Sequence, residues 1–232
     1  MQQNSATLHS ELNKKIPAHR FVYAQLRDQV LFGELAPGQA VTIQGIAEAL
    51  DAGMTPVREA LRRLISDGAL NMAGNRRVTV PEITENCIEE LDFMRKQIEP
   101  ELAARATPKM TKDLLADLEG EDNALNTAIN RGDVRAYLLH NYKFHARLYA
   151  AAEAPIMAAT VDRLWFRFGP SLRVVCGRYG TFNLPDKHAE LLDALKCNDP
   201  IGARKAIIED VDQGMLQVRE ALRDKAEGHR FD

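Results

Sequence analysis

The stretch Met54-Thr55-Pro56-Val57-Arg58-Glu59-Ala60-Leu61-Arg62-Arg63-Leu64 admits few folds, because it makes two different demands at once. Val57, Leu61 and Leu64 recur at i, i+4 and i+7, so on a helix they form one apolar stripe that needs a packing partner. Arg58 and Arg62 are four residues apart and lie off that stripe, where they can meet a polyanion or pair along the helix. Thr55 is in place for an N-cap and Pro56 for the first turn, where a proline is tolerated. The start of such a helix offers free N–H groups and partial positive charge to phosphate. A short two-faced helix preceded by another short helix is the arrangement of a helix-turn-helix DNA reader.

The neighbouring segments predict that arrangement. Val22, Leu26 and Val30 mark an amphipathic helix between Pro17 and Phe32, ended by Gly33 and followed by a Pro37-Gly38 turn. Ile43 to Leu50 is a second helix, and Asp51-Ala52-Gly53 a tight turn into the third, which Asp67-Gly68 closes. Ala69–Met72 and Val78–Val80 have strand composition, with Ala73-Gly74-Asn75-Arg76-Arg77 between them as a hairpin tip. Three helices followed by a hairpin with a basic tip make a winged helix-turn-helix over residues 16–82, behind a polar arm at residues 1–15.

After Pro81 long helical patterns take over. Thr84 can cap a helix toward Arg105 that Pro100 should kink. Thr107-Pro108 opens a second helix to about Asn130. Gly132-Asp133 breaks and recaps the chain for a third, through Ala151. Pro155 starts a fourth, Gly177 to Asn183 is a loop, Asp186 to Lys196 a fifth helix, and Asp199-Pro200 starts a last one to about Lys225. Residues 83–225 therefore read as an all-α bundle of about six helices with its own core. The fold class is mostly α, a winged helix-turn-helix plus a helical bundle.

Composition narrows the function classes. No apolar run approaches the roughly 20 residues that span a bilayer, so a membrane is not an expected partner. Cys87, Cys176 and Cys197 are widely spaced and include no CxxC, as befits reduced thiols in a cytoplasmic protein. The net charge of -3 hides an asymmetry, since residues 1–80 hold nine Lys/Arg against seven Asp/Glu and residues 81–232 hold twenty-one against twenty-six. A duplex would be bound by the N-terminal part. There Arg58 can bridge phosphate oxygens or take guanine O6 and N7. Arg62 and Arg63 either meet phosphate or pair with Glu59, and Arg76 and Arg77 reach the backbone or the minor groove.

In the second half Asn141 and His145, four apart on one helix, converge, His188 opens a later helix, and Asp210 lies midway along the last. The histidines are either metal ligands or buried rings with hydrogen-bonded nitrogens. Arg95 either greets an anionic ligand or pairs with Glu99, four residues on. Arg147, Arg167 and Arg173 are further candidate ligand-facing cations. Trp165, Phe166 and Phe168 read as core or dimer packing.

The order of elements, Thr55-Pro56-Val57-Arg58-Glu59-Ala60-Leu61-Arg62-Arg63-Leu64 before Asp67-Gly68, and Leu26…Val30…Gly33-Glu34-Leu35-Ala36-Pro37-Gly38 upstream resemble the GntR family of bacterial transcription regulators. The helical half resembles the FCD effector domain of its FadR-like subgroup. The resemblance implies a homodimer on a palindromic operator in double-stranded DNA, with affinity set by a small organic-acid effector. It carries DNA contact over to Gln44, Thr55, Arg58 and the wing tip near Gly74–Arg77, and effector contact to Arg95. Gly53-Met54 and Arg77 depart from the family's usual residues at their positions. The family's metal pattern, Asp or Asn followed on the same helix by His and then by two more histidines, falls on Asn141, His145, His188 and Asp210. A carboxylate thus replaces the last imidazole. The set suits zinc, nickel, manganese or iron, with open positions for the effector's carboxylate. Two other readings stand beside a ligand-responsive regulator. A metal-dependent enzyme could use the histidines and carboxylates to activate water, although no nucleophile–base motif is evident. A structural DNA-binding protein would show no metabolite response.

Overall fold

The structure, a computed structural model, describes residues 17–74, 77–179 and 187–226. The expected arm and Arg76 lie outside the described residues. The head opens with α1 (Ala18–Leu31), whose Val22, Leu26 and Val30 are buried on one face as their spacing predicts. β1 (Ala40–Val41) follows, then α2 (Ile43–Ala49), capped by the Thr42 hydroxyl accepting from Gly45 N at 3.1 Å. α3 (Met54–Ser66) buries Val57, Ala60, Leu61 and Leu64 against α1 and α2. Val57, Leu61 and Leu64 each contribute roughly 1.5–3 kcal/mol by leaving water, and the single methyl of Ala60 less. Gly68, at φ +80°, ends α3 in a Schellman turn, with Ala69 N donating to Leu64 O at 2.9 Å and Gly68 N to Ile65 O at 3.1 Å.

One detail of α3 departs from expectation. Gly53, not Thr55, holds the N-cap position, and Thr55 is already the second helical residue. The extended backbone at Gly53 (φ -65°, ψ 152°) begins the helix two residues earlier than a Thr55 cap would. The wing is β2 (Asn71–Met72) paired antiparallel with β3 (Val78–Thr79), its loop drawn closed by Ala73 N donating to Arg77 O at 2.8 Å. Both strands are shorter than their composition suggested. β1 supplies an unforeseen third strand on the other side of β3, in the order β1-β3-β2, with Ala40 opposite Thr79 and Val41 opposite Val78.

The bundle begins with α4 (Glu85–Ala106), capped by the Thr84 hydroxyl and continuous through the buried ring of Pro100. Thr107–Lys109 is a single 3-10 turn rather than the start of the next helix. The Thr107 hydroxyl is spent on Ala103 O in the preceding helix at 2.9 Å, so capping passes to Thr111, which opens α5 (Lys112–Arg131). α6 (Val134–Ala151) is capped by Asp133. α7 (Pro155–Tyr179) runs past Gly177, where a loop was expected; the rest of that loop, 180–183, lies outside the described residues. α8 (Lys187–Lys196) and α9 (Pro200–Ala226) complete the set. α4 packs most extensively on α9, α5 on α6, and α8 on α9.

Head and bundle meet where α1 lies on α7. At that crossing a Cβ on Gly169 would stand 2.6 Å from the Leu31 carbonyl oxygen, so the approach needs glycine. Buried residues of both parts join in one apolar cluster, from Val22 and Leu64 to Phe144, Trp165 and Val218.

Candidate functional site

Two places carry the residues singled out by sequence. On the head, Gln44, Thr55, Arg58, Arg62 and Arg77 are all exposed. Arg58 and Arg62 stand off the apolar stripe of α3, and among the described residues neither has an ion-pair partner. Gln44, second residue of α2, donates to Glu48 on its own helix at 3.0 Å. The expected pairing of Arg62 or Arg63 with Glu59 is absent among the described residues. Glu59 faces His19 at 3.6 Å, while Arg63 reaches Asp67 at 3.7 Å and lies over the Tyr23 ring at 4.1 Å. That leaves Arg58 and Arg62 as the uncommitted cations of the recognition helix.

Within the bundle, α6, α8 and α9 converge on a cavity of about 120 Å³. A buried water occupies roughly 10–15 Å³ of such space, so several waters or one small organic molecule fit. His145 and His188, 1% and 6% exposed, bring their Nε2 atoms to 3.4 Å. Asp210 comes to 3.3 Å of the first and 3.9 Å of the second, and a ligand atom from each of the three lies within 4.8 Å of the others. Asn141, one turn before His145, lines the same cavity.

The hydrogen-bond partners assign the tautomers. The Tyr149 hydroxyl donates to Glu99 at 2.6 Å, so its oxygen accepts from His145 Nδ1–H at 3.0 Å. His188 Nδ1–H donates to the Asp122 carboxylate at 3.1 Å, itself held by Asn126 at 3.1 Å. The Phe144 ring stacks on His188 with centroids 4.1 Å apart. Both Nε2 lone pairs therefore face one another and a carboxylate oxygen, an arrangement of acceptors that calls for a cation. A proton is a poor one at His145, because burial, followed by the fields of His188 and Arg95, outweighs Asp210 and pushes its pKa down to about 3. A tetrahedral ion about 2.05 Å from each of two ligands separates them by roughly 3.3 Å, close to two of the three separations here, 3.3 and 3.4 Å, and shorter than the 3.9 Å between His188 and Asp210. The donor set and its outer hydrogen bonds fit a divalent metal.

The cations around the cavity are already spoken for. Arg95, 2% exposed, makes two bonds to the fully buried Glu99, at 2.6 and 3.3 Å, and lies over the Phe168 ring at 4.4 Å and Trp165 at 5.2 Å. Lys187 bonds Glu190 at 2.8 Å and Glu209 at 2.7 Å. Of the other arginines read as ligand-facing, Arg147 is tied to Asp117 and Glu121 at the α5–α6 surface, Arg167 lies beside Gly68, and Arg173 packs on Gly33. Arg147 is thus a surface ion pair, and the other two sit at the head–bundle seam. Trp165, Phe166 and Phe168 are core, as expected, but Trp165 and Phe168 also wall the cavity. Sequence reasoning missed Tyr137, Gln213 and Gln217 in that wall. Asp210, Gln213, Gly214 and Gln217 fall at i, i+3, i+4 and i+7, a polar stripe on α9 that could have been read. Asp122 gave no signal, since one more acidic residue on α5 does not stand out.

A three-helix head with a hairpin wing and a free cationic helix face, joined to a helical bundle around an internal polar cavity, defines a ligand-sensing DNA-binding regulator. The chain belongs to the GntR family of bacterial regulators. Residues 18–80 match the family model for bacterial regulatory proteins of the gntR family, and residues 90–213 match the FCD domain. It is 32% identical to the HTH-type transcriptional regulator McbR of Escherichia coli K12, over 82% of this chain and 87% of that protein. The solved structure of E. coli McbR/YncC superposes with a TM-score of 0.83 at 30% identity, covering 89% of this chain and 99% of the other. The HTH-type transcriptional repressor RspR of E. coli K12 is 23% identical over 92% of this chain and 96% of its own length. The protein is accordingly a transcriptional regulator with an effector-binding FCD domain, and none of its described helices is long and apolar enough to cross a membrane.

Proposed function

We propose that the protein acts in the cytoplasm as a homodimer on a palindromic operator and that a small carboxylate-type metabolite, held through a divalent metal, sets its affinity. Residues 16–82 read the DNA. Arg58 contacts base edges or phosphate, with Thr55, Gln44, Arg62, Arg76 and Arg77 on the flanking backbone. Residues 83–225 bind the effector and pair the subunits. His145, His188, Asp210 and Asn141 would hold the metal, which would supply a Lewis-acidic positive centre to the effector.

The observation that carries this reading is the meeting of three acceptor groups beside one cavity, which His188 and Asp210 line, with the far sides of the two imidazoles anchored by Tyr149 and Asp122. The charge balance supports the metal's part in it. Arg95 lines the cavity as a candidate effector contact, yet its charge is countered by Glu99, and that of Lys187 by two glutamates. Without a metal, the unmatched charge facing a carboxylate is Asp210. Organic acids should therefore bind the metal-loaded protein and not the metal-free one. A thermal-shift screen of small carboxylic acids, with and without zinc, nickel or manganese, tests this, because a ligand preferring the folded state raises its stability. Elemental analysis that finds no metal, with no uptake on adding those ions, would refute the site.

A further inference from the structure

Tyr142 stands at the seam between the cavity and the head. One edge of its ring meets Trp165, with centroids 5.6 Å apart, and Trp165 in turn walls the cavity and tilts against His145 at 5.4 Å. Across the seam the same ring meets Phe32, the residue that ends α1, at 6.1 Å. Its hydroxyl accepts from Arg27 of α1 and donates to Asp162 of α7 at 2.9 Å. His145, Trp165, Tyr142 and Phe32 thus form an unbroken run of edge-on or tilted rings from the candidate ligand cluster to the DNA-reading head. Phe32, Trp165 and His145 are at most 4% exposed. In a close-packed interior a ring has no slack in which to absorb its neighbour's displacement.

We infer that Tyr142 is the positioning residue that makes the docking of the head respond to what occupies the cavity. This rests on the proposed sensing role of the cavity, and it adds where the response crosses. A ring displaced by a ligand at His145 pushes Trp165, and Trp165 meets Tyr142, whose hydroxyl holds Arg27 on the helix that carries α3. The polar grip matters because it ties a head side chain to a ring that itself belongs to the bundle.

The test uses the full chain and reads amide hydrogen exchange in α1. Wild type, Tyr142→Phe, Trp165→Phe and the double variant are compared first without any ligand, after thermal melts confirm that each folds. Trp165→Phe should change α1 exchange by roughly 2- to 30-fold in the wild-type background and by much less once Tyr142 is Phe. Equal changes in both backgrounds, or no change in either, overturn the inference. In a second arm zinc is added alone. Bound zinc is counted by elemental analysis, which reports occupancy of the cavity independently of the head, while the emission of Trp165, the sole tryptophan, follows the rings around it. Tyr142→Phe should take up zinc at the wild-type concentration yet lose the zinc-dependent change in α1 exchange. A residue that merely packs would shift the baseline and leave that response intact. If wild-type emission and metal content show no zinc binding, the metal reading fails by itself, and the ligand-free comparison still decides the role of Tyr142.

Discussion

Replacing Glu99 by Gln removes one charge from the interior of the bundle and nothing from its shape. Glu99 is fully buried and pairs with Arg95, which is 2% exposed. Breaking a buried pair from one side costs about 3–5 kcal/mol, because the surviving ion has lost both water and partner. Here the survivor keeps the faces of Phe168 and Trp165 at 4.4 and 5.2 Å. Such contacts contribute roughly 0.5–2 kcal/mol, so the cost should fall at the low end, near 3 kcal/mol. For a chain of this length that corresponds to a fall in Tm of roughly 6–12 °C, at about 2–4 °C per kcal/mol. Replacing both partners, Arg95→Met with Glu99→Leu, should cost less than the single change, although the buried Tyr149 hydroxyl then loses its Glu99 acceptor, at roughly 1–3 kcal/mol. Urea denaturation of the three proteins, without metal, measures all of this. A Glu99→Gln cost under about 1 kcal/mol, or a double variant as unstable as the single, would show that Arg95 does not depend on Glu99 for its burial.

Three further outcomes are expected. Arg58→Ala should weaken DNA binding by roughly 1–3 kcal/mol in an anisotropy titration while leaving the melting curve unchanged, since its side chain is exposed; unchanged affinity would remove it from the interface. Burial, then the fields of His188 and Arg95, holds the His145 pKa at about 3 against an unfolded value of 6.5. Between those values the unfolded chain binds the extra proton, so stability falls with acid. The loss from pH 6.5 to 5 should be on the order of 1.5 kcal/mol in metal-free wild type and absent from the same comparison in His145→Gln. Gly169→Ala, which on an exposed helix would stabilise by about 1 kcal/mol, should instead destabilise by roughly 1–3 kcal/mol, because the new methyl meets the Leu31 backbone at 2.6 Å; a raised Tm would show that the head seats differently on α7.

How much of this was legible beforehand follows a simple physical line. Periodic burial was readable: Val22, Leu26 and Val30 on α1, and Val57, Leu61 and Leu64 on α3, are where their spacing put them. Caps that compete were not. Thr107 and Thr111 look alike in sequence, and only the bond from Thr107 back to Ala103 shows which of them is free to start α5. β1 is a two-residue strand, too short to show alternation, and it exists because β3 has an edge to fill. In the cavity His145, His188 and Asp210 were found by spacing and resemblance, and the fold brings them together. Their supports, Asp122 and Tyr149, arrive from other turns and other helices, and no local pattern announces a partner 66 residues away. Arg95 shows the limit of reading one helix at a time: contact with an anionic ligand and a pair with Glu99 are alternatives in the sequence, and the structure forms the pair while leaving the same guanidinium in the cavity wall.

The apolar cluster shared by head and bundle bears on how such regulators can be recombined. Val22 and Leu26 of the head belong to the same packed interior as Trp165 and Phe168 of the sensor. A chimaera that grafts this reading head onto a foreign sensor severs that interior along the α1–α7 crossing, leaving Phe32 and the notch at Gly169 without their counterparts. Transplants would succeed only when the recipient's seventh helix is rebuilt to match, so the DNA-binding head and the effector-binding domain are tethered in this chain by sterics.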